Sequence, residues 1–543
     1  MKTNISKLIA GVCLFSSLGL TTGCIEETIP TSVATEDQVT SSDMAAAAML
    51  WAMPASLNVV GVVSSSYHWD WGYGSIMHVR DVMTGDMPVI SSGYNWYTNW
   101  EVAEAQGESY VYPQFIWNYY WQAVLTTNKL IAAIDAETAS SAQLGYLAAA
   151  HAFRAFFYMD LARMYEFKPS DKIPTGVNDA GNDVTGLTVP IVKETITEEE
   201  ARNNPRVSRE VMAEFILSDL DFAEQNIGKL EESSKTLPHL DVVYGLKARL
   251  YMWLEDYPKA KEYARKAINA TGVSPMTESQ CLSTTKGFND LSCWMWGSQM
   301  VSEDDVVKTG ILNWASWMSN ETSFGYSGQE PFLMISKSMY DRLNNTDFRK
   351  KMWKAPEGSM LDGQTEYLTS AAFGNFGDRL ADYASVKFRP AEGNCDDYTT
   401  GAATAYPLMR VEEMYFIEAE AAAHSNVEEG KTLLTNFMLS YRDGQYETTA
   451  SSVDEVIDEI IFQKRVELWG EGLTFFDIKR LNLPVTRGYT GTNYQDDARY
   501  NTTTRPAWMS ICIVQTEKNN NAALIGFENP EVSDELYTPW AGN

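Results

Sequence analysis

Histidine, cysteine and basic residues are all scarce in this chain, and each shortage removes a class of function. The five histidines, at 68, 78, 151, 239 and 424, are scattered without ligand spacing. The six cysteines form no Cys-x-x-Cys pair, so the zinc frameworks built on such pairs are not indicated. Lys and Arg together number 42 against 72 Asp and Glu, for a formal net charge of −30. Nucleic-acid binding rests on Lys and Arg at phosphates, so a chain this acidic is a poor partner for DNA or RNA. The charge instead favours solubility and repels polyanions. His-Glu-x-x-His, Gly-x-Ser-x-Gly, the Walker A loop and the dinucleotide glycine fingerprint are all missing. Gly72-Tyr73-Gly74 lacks a third glycine and the flanking strand and helix. No catalytic residue and no cofactor are expected from these motifs. Asn178-Asp179-Ala180-Gly181-Asn182-Asp183 is rich in oxygen ligands of the kind calcium takes. It lacks the spaced Glu of an EF-hand, so a solvated turn is the better reading.

Long apolar runs are missing too. Leu8 to Leu20 is apolar but too short to cross a bilayer, which needs about 20 such residues. Lys2 and Lys7 precede it, and Leu20-Thr21-Thr22-Gly23-Cys24 follows it. This order resembles a bacterial lipoprotein signal, in which residues 1–23 are removed and Cys24 is acylated; an ordinary secretory leader is the other reading. Glu26 and Glu27 follow, then a Pro/Thr/Ser-rich stretch to about residue 42. An acidic pair at this place resembles the surface-export signal of Bacteroidetes lipoproteins, and residues 24–42 read as a flexible polar tether. Acyl chains on Cys24 would anchor the chain at the outer membrane, each buried methylene contributing about 0.8 kcal/mol. Cys281, Cys293, Cys395 and Cys512 remain. Cys281 could pair with Cys293 in an exported chain, or both could stay as buried thiols.

Helical periodicity dominates the rest. Leu147, His151, Arg154, Ala155, Tyr158, Leu161, Ala162 and Tyr165 recur on one helical face. Asn118 to Ile134 reads as the preceding helix. Ser208 reads as the cap of a helix running to about Ile227. Later helices are expected near Leu408–Ala423, Glu428–Tyr441 and Val453–Trp469. Tyr244 to Ile268 looks like a tetratricopeptide repeat, two helices meeting at Glu255-Asp256-Tyr257-Pro258. One repeat cannot bury its own face, so neighbouring helix pairs must stack on it. The fold class expected is therefore mainly α. A tetratricopeptide-like superhelical spine would run over about 110–270 and 406–480, with a loop-rich, irregular insertion at 271–405 where Ser385-Val386-Lys387-Phe388 looks strand-like.

What the chain has in excess is Trp and Tyr, 16 and 28 of them. Such rings offer a flat apolar face with a polar handle. Four clusters stand out, around Tyr67–Trp71, Tyr94–Trp100, Trp294–Trp296 and Asn313–Trp317. A sugar ring has apolar C–H faces for stacking and hydroxyls for Asn, Asp or Arg. The candidate ligand residues are accordingly Asp70, Trp71, Trp96, Asn99, Trp100, Trp294, Trp296, Trp314 and Trp317, with Trp96 and Trp314 foremost. The competing reading of each ring is core.

Three further segments carry a family resemblance. Ala149-x-x-Ala152-x-Arg154-Ala155-x-x-Tyr158-x-x-Leu161 is the first. Tyr406-Pro407-Leu408-Met409-Arg410-Val411-x-Glu413-Met414-Tyr415-x-x-Glu418 is the second. Lys464-Arg465-Val466-Glu467-Leu468-x-Gly470-Glu471-Gly472-Leu473-x-Phe475-Phe476-Asp477 is the third. Together with Cys24 and the repeat, they resemble the SusD/RagB family of Bacteroidetes outer-membrane lipoproteins. The resemblance implies residues 43–543 as one SusD-like domain, without catalytic activity. It also implies a nutrient-capturing role and a SusC-like, TonB-dependent transporter as partner. In starch-binding members a Trp and an Asn from a comparable early segment join an aromatic arc, which suits Trp96 and Asn99. An oligosaccharide is the expected ligand. A peptide ligand, a helical glycoside hydrolase with two flanking carboxylates and a purely structural surface protein are the alternatives. Arg410, Glu413, Glu467 and Asp477 alternate with apolar residues and are expected to form ion pairs and caps that fix the last helices.

Overall fold

The computed structural model describes residues 43–532 and 536–542. The leader, Cys24 and the tether lie outside them. Eleven of the longer helices organise the molecule: α1 (Asp43–Ala55), α2 (Tyr73–Val82), α3 (Val111–Ala133), α4 (Ser141–Tyr165), α5 (Arg209–Asn226), α6 (Leu240–Trp253), α7 (Tyr257–Ala270), α8 (Val411–Ala423), α9 (Val427–Tyr441), α10 (Val453–Glu467) and α11 (Thr474–Leu481). Successive helices from α3 to α9 pack on one another, α10 adds to α8, and α1 lies across α3 and α4. Among the described residues no helix is long and apolar enough to cross a membrane.

The caps explain where these helices begin. Ser140 and Gln143 close a reciprocal capping box at α4, and Ser452 and Glu455 do the same at α10. Ser208 starts α5, its side chain accepting from the Val211 amide. The repeat turn works as its sequence suggests. Glu255 takes a left-handed conformation at φ 61°, and the Asp256 carboxylate accepts from the Lys259 amide. Pro258 then sits in the first turn of α7, where its missing N–H has no cost. Only Ala260, Ala264 and Ala267 of α7 are buried, a small-residue stripe that lets α6 approach closely.

Three expectations need correction. The first long helix begins at Val111, not Asn118. The helix expected from Leu408 begins at Val411, because Ala405–Met409 is a fully buried strand, β2, paired antiparallel with β1 (Trp296–Gln299). The run at Ser385 makes only isolated bridges, Trp353 to Ser385 and Met334 to Ala384. Elsewhere residues 271–405 hold short helical turns and a two-residue hairpin, Thr369–Ser370 with Gly374–Asn375. All four remaining cysteines are free and buried.

The charged motif residues form ion pairs rather than caps. Arg410 reaches Glu467 (3.0 Å), Glu471 (2.9 Å) and Glu412 (2.9 Å). Glu467 also receives Arg442 (2.6 Å) and Arg349 (3.2 Å). Lys387, from the irregular region, donates to Glu471 at 2.7 Å. Glu413 pairs with Arg249 of α6 at 2.6 Å, and Asp477 with Lys464 at 2.7 Å. The network joins the irregular region to α8 and α10, with no charge left exposed.

Candidate functional site

The aromatic clusters do converge, but mostly inward. Trp314 stacks on Tyr406 of β2, 4.8 Å between centroids and 16° between planes, and meets Trp71 edge-on at 6.4 Å. The Trp71 indole N–H donates to the Tyr97 hydroxyl at 2.7 Å. Tyr97 meets Trp317 edge-on at 4.8 Å, and Trp317 stacks on Tyr326 at 4.1 Å and 17°. Tyr326 lies 5.5 Å from His68, and His68 lies 4.2 Å from Trp96. A continuous series of rings thus runs from β2 to the surface.

Only its outer end faces solvent. Trp96 is 41 % exposed and His68 half-buried, while Trp71, Trp100, Trp294, Trp296, Trp314 and Trp317 are all buried. A ring closed on both faces by protein cannot stack on a ligand, so these six move from candidate ligand contacts to core. Trp100 packs on Trp69 and Tyr112. Trp296 wedges between Phe153 and Phe156 of α4. Trp294 lies against Phe288. Asp70 is buried as well. Its carboxylate accepts from the amides of Val62 (2.9 Å), Val63 (2.6 Å) and Ser64 (3.0 Å), closing the loop that carries His68. Burial raises its pKa, against the lowering by those amides. Asn99 remains half-buried one turn after Trp96, its carboxamide free of partners among the described residues.

Several contributors were not found from the sequence. His68 and Tyr326 are hydrogen-bonded through Nδ1 and the hydroxyl. Burial lowers the His68 pKa, which favours the neutral ring. Gly325 lets Tyr326 take its place: φ is +66°, and a Cβ there would lie 2.1 Å from Ser316 Oγ. That hydroxyl instead accepts from the Tyr326 amide at 3.0 Å. Beyond the Tyr326 turn lies Phe373, 42 % exposed, with the Arg379 guanidinium 3.6 Å from its ring centroid. Arg379 donates to the Gly328 carbonyl and to Glu330, both at 2.9 Å, which ties Phe373 to the same turn. Aromatics beside glycine, as in Phe324-Gly325-Tyr326 and Phe373-Gly374, were the signal available. On the other side Tyr94 is 49 % exposed. Its loop is pinned by Asn95, which donates to Glu101 at 3.1 Å, while Gln495 donates to the same carboxylate at 3.0 Å. Burial raises the Glu101 pKa to about 7.

The exposed rings of this region are Tyr94, Trp96 and Phe373, with His68 half-buried and Tyr326 buried beneath, and with Asn99, Arg379 and Glu330 as polar groups. Among the described residues no group of three or more His, Cys, Asp or Glu could hold a metal ion. In the loop with calcium-like composition, Asn178 Oδ1 instead accepts from the amides of Ala180 and Asn182, and Nδ2 donates to the carbonyls of Gly526 and Glu528.

Comparisons place this geometry. Residues 335–535 match the model of the SusD family. A SusD-like carbohydrate binding protein from Bacteroides vulgatus has a similar structure at TM-score 0.69 and 21 % identity, over 91 % of this chain and 99 % of that one. A SusD superfamily protein from Bacteroides thetaiotaomicron follows at TM-score 0.66 and 18 % identity, over 90 % and 100 %. One from Bacteroides fragilis gives TM-score 0.63 and 19 % identity, over 89 % and 99 %. No curated protein matches the chain by sequence. At such identities the structural likenesses establish the fold, and the family match adds the C-terminal helices with their charged network. The chain is thus similar to the SusD/RagB family, by sequence over residues 335–535 and by fold over most of its length.

Proposed function

We propose that the chain is a cell-surface nutrient-binding lipoprotein. It captures an oligosaccharide on the Trp96 face and passes it to a SusC-like, TonB-dependent transporter. The observation that carries this reading is the state of Trp96. A large flat ring is left open to water, yet its position is fixed from beneath by His68 and Tyr326. A pyranose can lay its C–H face on such a ring without first ordering it, which saves the entropy that a mobile side chain would lose on binding. The Asn99 carboxamide offers a donor for hydroxyls at the edge. The carbohydrate-binding protein among the similar structures supports the same ligand class.

A peptide is the competing ligand, and Tyr94 and Phe373 would serve it as side-chain contacts. Hydrolysis finds less support. Glu330 is paired with Arg379. Asp396 accepts from Ser323 at 2.8 Å, from Ser370 and from the Ala371 amide at 2.6 Å. Burial pushes the Asp396 pKa up, but these hydrogen bonds outweigh it and hold the carboxyl below its ordinary value. A general acid requires the opposite shift.

Trp96→Ala should weaken oligosaccharide binding by about 1–3 kcal/mol, taking stacking on an aromatic ring as the guide, with the melting temperature unchanged. Calorimetric titration against a panel of neutral oligosaccharides and of short peptides checks both parts. Tight binding of peptides alone would replace the ligand class, and glycan affinity unchanged in the variant would move the site elsewhere.

The anchor has its own test. Cys24→Ala should release the chain from the membrane fraction while leaving glycan affinity as it was. Full retention of the variant in the membrane fraction would refute acylation at Cys24.

A further inference from the structure

Far along the spine, α4, α6, α8, α10 and α11 enclose a second feature with different chemistry. It is a cavity with about 40 Å³ open to the centre of a water molecule. One water needs roughly 10–15 Å³ on that measure, so there is room for about three waters or one small polyatomic ion. Its walls carry six cations: Arg163, Lys168, Arg249, Lys464, Lys479 and Arg480. Only Glu166, Glu413 and Asp477 oppose them there. Asp160 and Glu420 stand behind the wall, but Asp160 is shared with a further cation, Arg80. With those three counted, a surplus of two positive charges remains. This is unexpected inside a protein of net charge −30.

The carboxylates present are already committed. Glu413 takes both of its bonds from Arg249, at 2.8 and 2.6 Å. Asp477 serves Lys464 at 2.7 Å and Arg480 at 3.1 Å. Glu166 gives one oxygen to the Trp253 indole at 2.8 Å, and its other oxygen is 3.8 Å from Lys168, too far for a hydrogen bond. Donors are left over. Lys479 is buried, and its ammonium, with three N–H bonds, donates to the Met164 carbonyl at 2.7 Å. Arg480 Nη1 is buried without any partner. Arg163 spends Nε on the Met159 carbonyl and Nη2 on Asp160, and lies flat over the Phe476 ring at 3.6 Å. The titration behaviour agrees. Burial lowers the pKa of Arg163 and Lys168 and holds Lys479 well below its usual value, so nearby carboxylates do not offset burial at these three, whereas at Arg249 and Arg480 carboxylates outweigh it.

We propose that this cavity is a binding site for one small oxyanion of the phosphate or sulfate type, taken up from solution and held by Lys479, Lys168, Arg163 and Arg480. A tetrahedral oxyanion supplies the missing negative charge. It also supplies acceptors in several directions at once, which three waters provide without the charge. Because the walls come from five helices, the ion would join the N-terminal and C-terminal halves of the spine at a point remote in sequence from the aromatic face. The site is independent of the glycan reading.

The test uses the full mature chain. Thermal melting is followed in inorganic phosphate, sulfate, acetate and chloride at matched ionic strength, with calorimetric titration of phosphate. Phosphate and sulfate should raise the melting temperature saturably, and chloride should not. A rise with acetate alone would overturn the oxyanion assignment. Lys168→Met, at the more open edge of the cavity, should keep the fold and weaken phosphate binding about tenfold or more, the scale of a lost charge-assisted hydrogen bond. Lys479→Met is the second variant and should lose the phosphate effect. Its melting temperature in chloride should equal or exceed wild type, because a buried, undercompensated charge has gone. A crystal soaked in selenate should show one anomalous peak in the cavity. Equal melting in phosphate and chloride, an undiminished phosphate effect in both variants, or waters alone in the selenate crystal would each overturn the proposal.

Discussion

Trp314→Ala is expected to destabilise the protein by about 3–5 kcal/mol, the range for deleting a large aromatic from a packed core. The ring is fully buried. It is stacked on Tyr406 and closed edge-on by Phe388 at 5.2 Å and by Trp71. The void left could be filled only by moving β2 or the α2 start, since Gly74 already sits against both indoles. Denaturant unfolding followed by circular dichroism measures the loss. Below the transition, glycan affinity should stay within about twofold of wild type, because a distant cavity does not touch the ligand. The contrast with Trp96→Ala separates core from site: one variant loses stability and keeps affinity, the other the reverse. Unchanged stability in Trp314→Ala, with affinity lost, would return Trp314 to the ligand contacts.

Arg410→Met should be as damaging, by about 3–5 kcal/mol, for an electrostatic reason. Removing one partner of a buried pair leaves the other charged and dry. Here Glu412, Glu467 and Glu471 all lose the same guanidinium. Adding Glu471→Gln to that variant should recover part of the loss, since an orphaned charge is then neutralised, and a double-mutant cycle measures the coupling. The network also sets an acid limit. Burial would raise the Glu467 pKa, but Arg442, Arg410 and Arg349 outweigh it and hold the carboxyl well below its ordinary value. A depressed carboxylate stabilises the fold fully above its unfolded pKa, about 4.3, and that contribution fades as pH falls further toward the folded value. Acid unfolding of the wild type should therefore steepen below about pH 4. Glu467→Gln, less stable at neutral pH, should show a shallower dependence there. Identical acid slopes in the two proteins would remove Glu467 from the linkage.

The helical frame was legible because its signals are local. Ser140 with Gln143, Ser208, Ser452 with Glu455, and Asp256-Tyr257-Pro258 each act within four residues of where they stand. The charged motif residues were legible as scaffold for a similar reason, since they alternate with apolar positions on those helices. The face was only partly legible. Trp96 is expected as a ligand contact and is exposed, whereas Trp314 and Trp317, expected as ligand contacts in the loop-rich insertion, are core. Asn313 in fact caps a single helical turn, accepting from the Ser316 amide at 2.9 Å, and this places the two indoles three residues apart on one buried side. Asn-Trp-Ala-Ser-Trp could have been read as such a turn. What no spacing shows is the meeting of His68 with Tyr326 across 258 residues. Nor does any spacing show that Arg379 would cover Phe373. Those contacts are made by the tertiary fold of an irregular region.

The series of rings under Trp96 has a consequence for how this molecule can change. The outermost ring is held by His68, and His68 is backed beneath the surface by Tyr326, Trp317, Tyr97 and Trp71. Residues 94, 96 and 373 are thus free to be replaced one at a time, since each exchange alters what is recognised and leaves the support intact. A library confined to those positions should fold almost throughout and sample ligand preference, whereas randomising one layer lower should yield mostly unfolded chains. The boundary between the inheritable platform and the replaceable surface falls between His68 and Trp96.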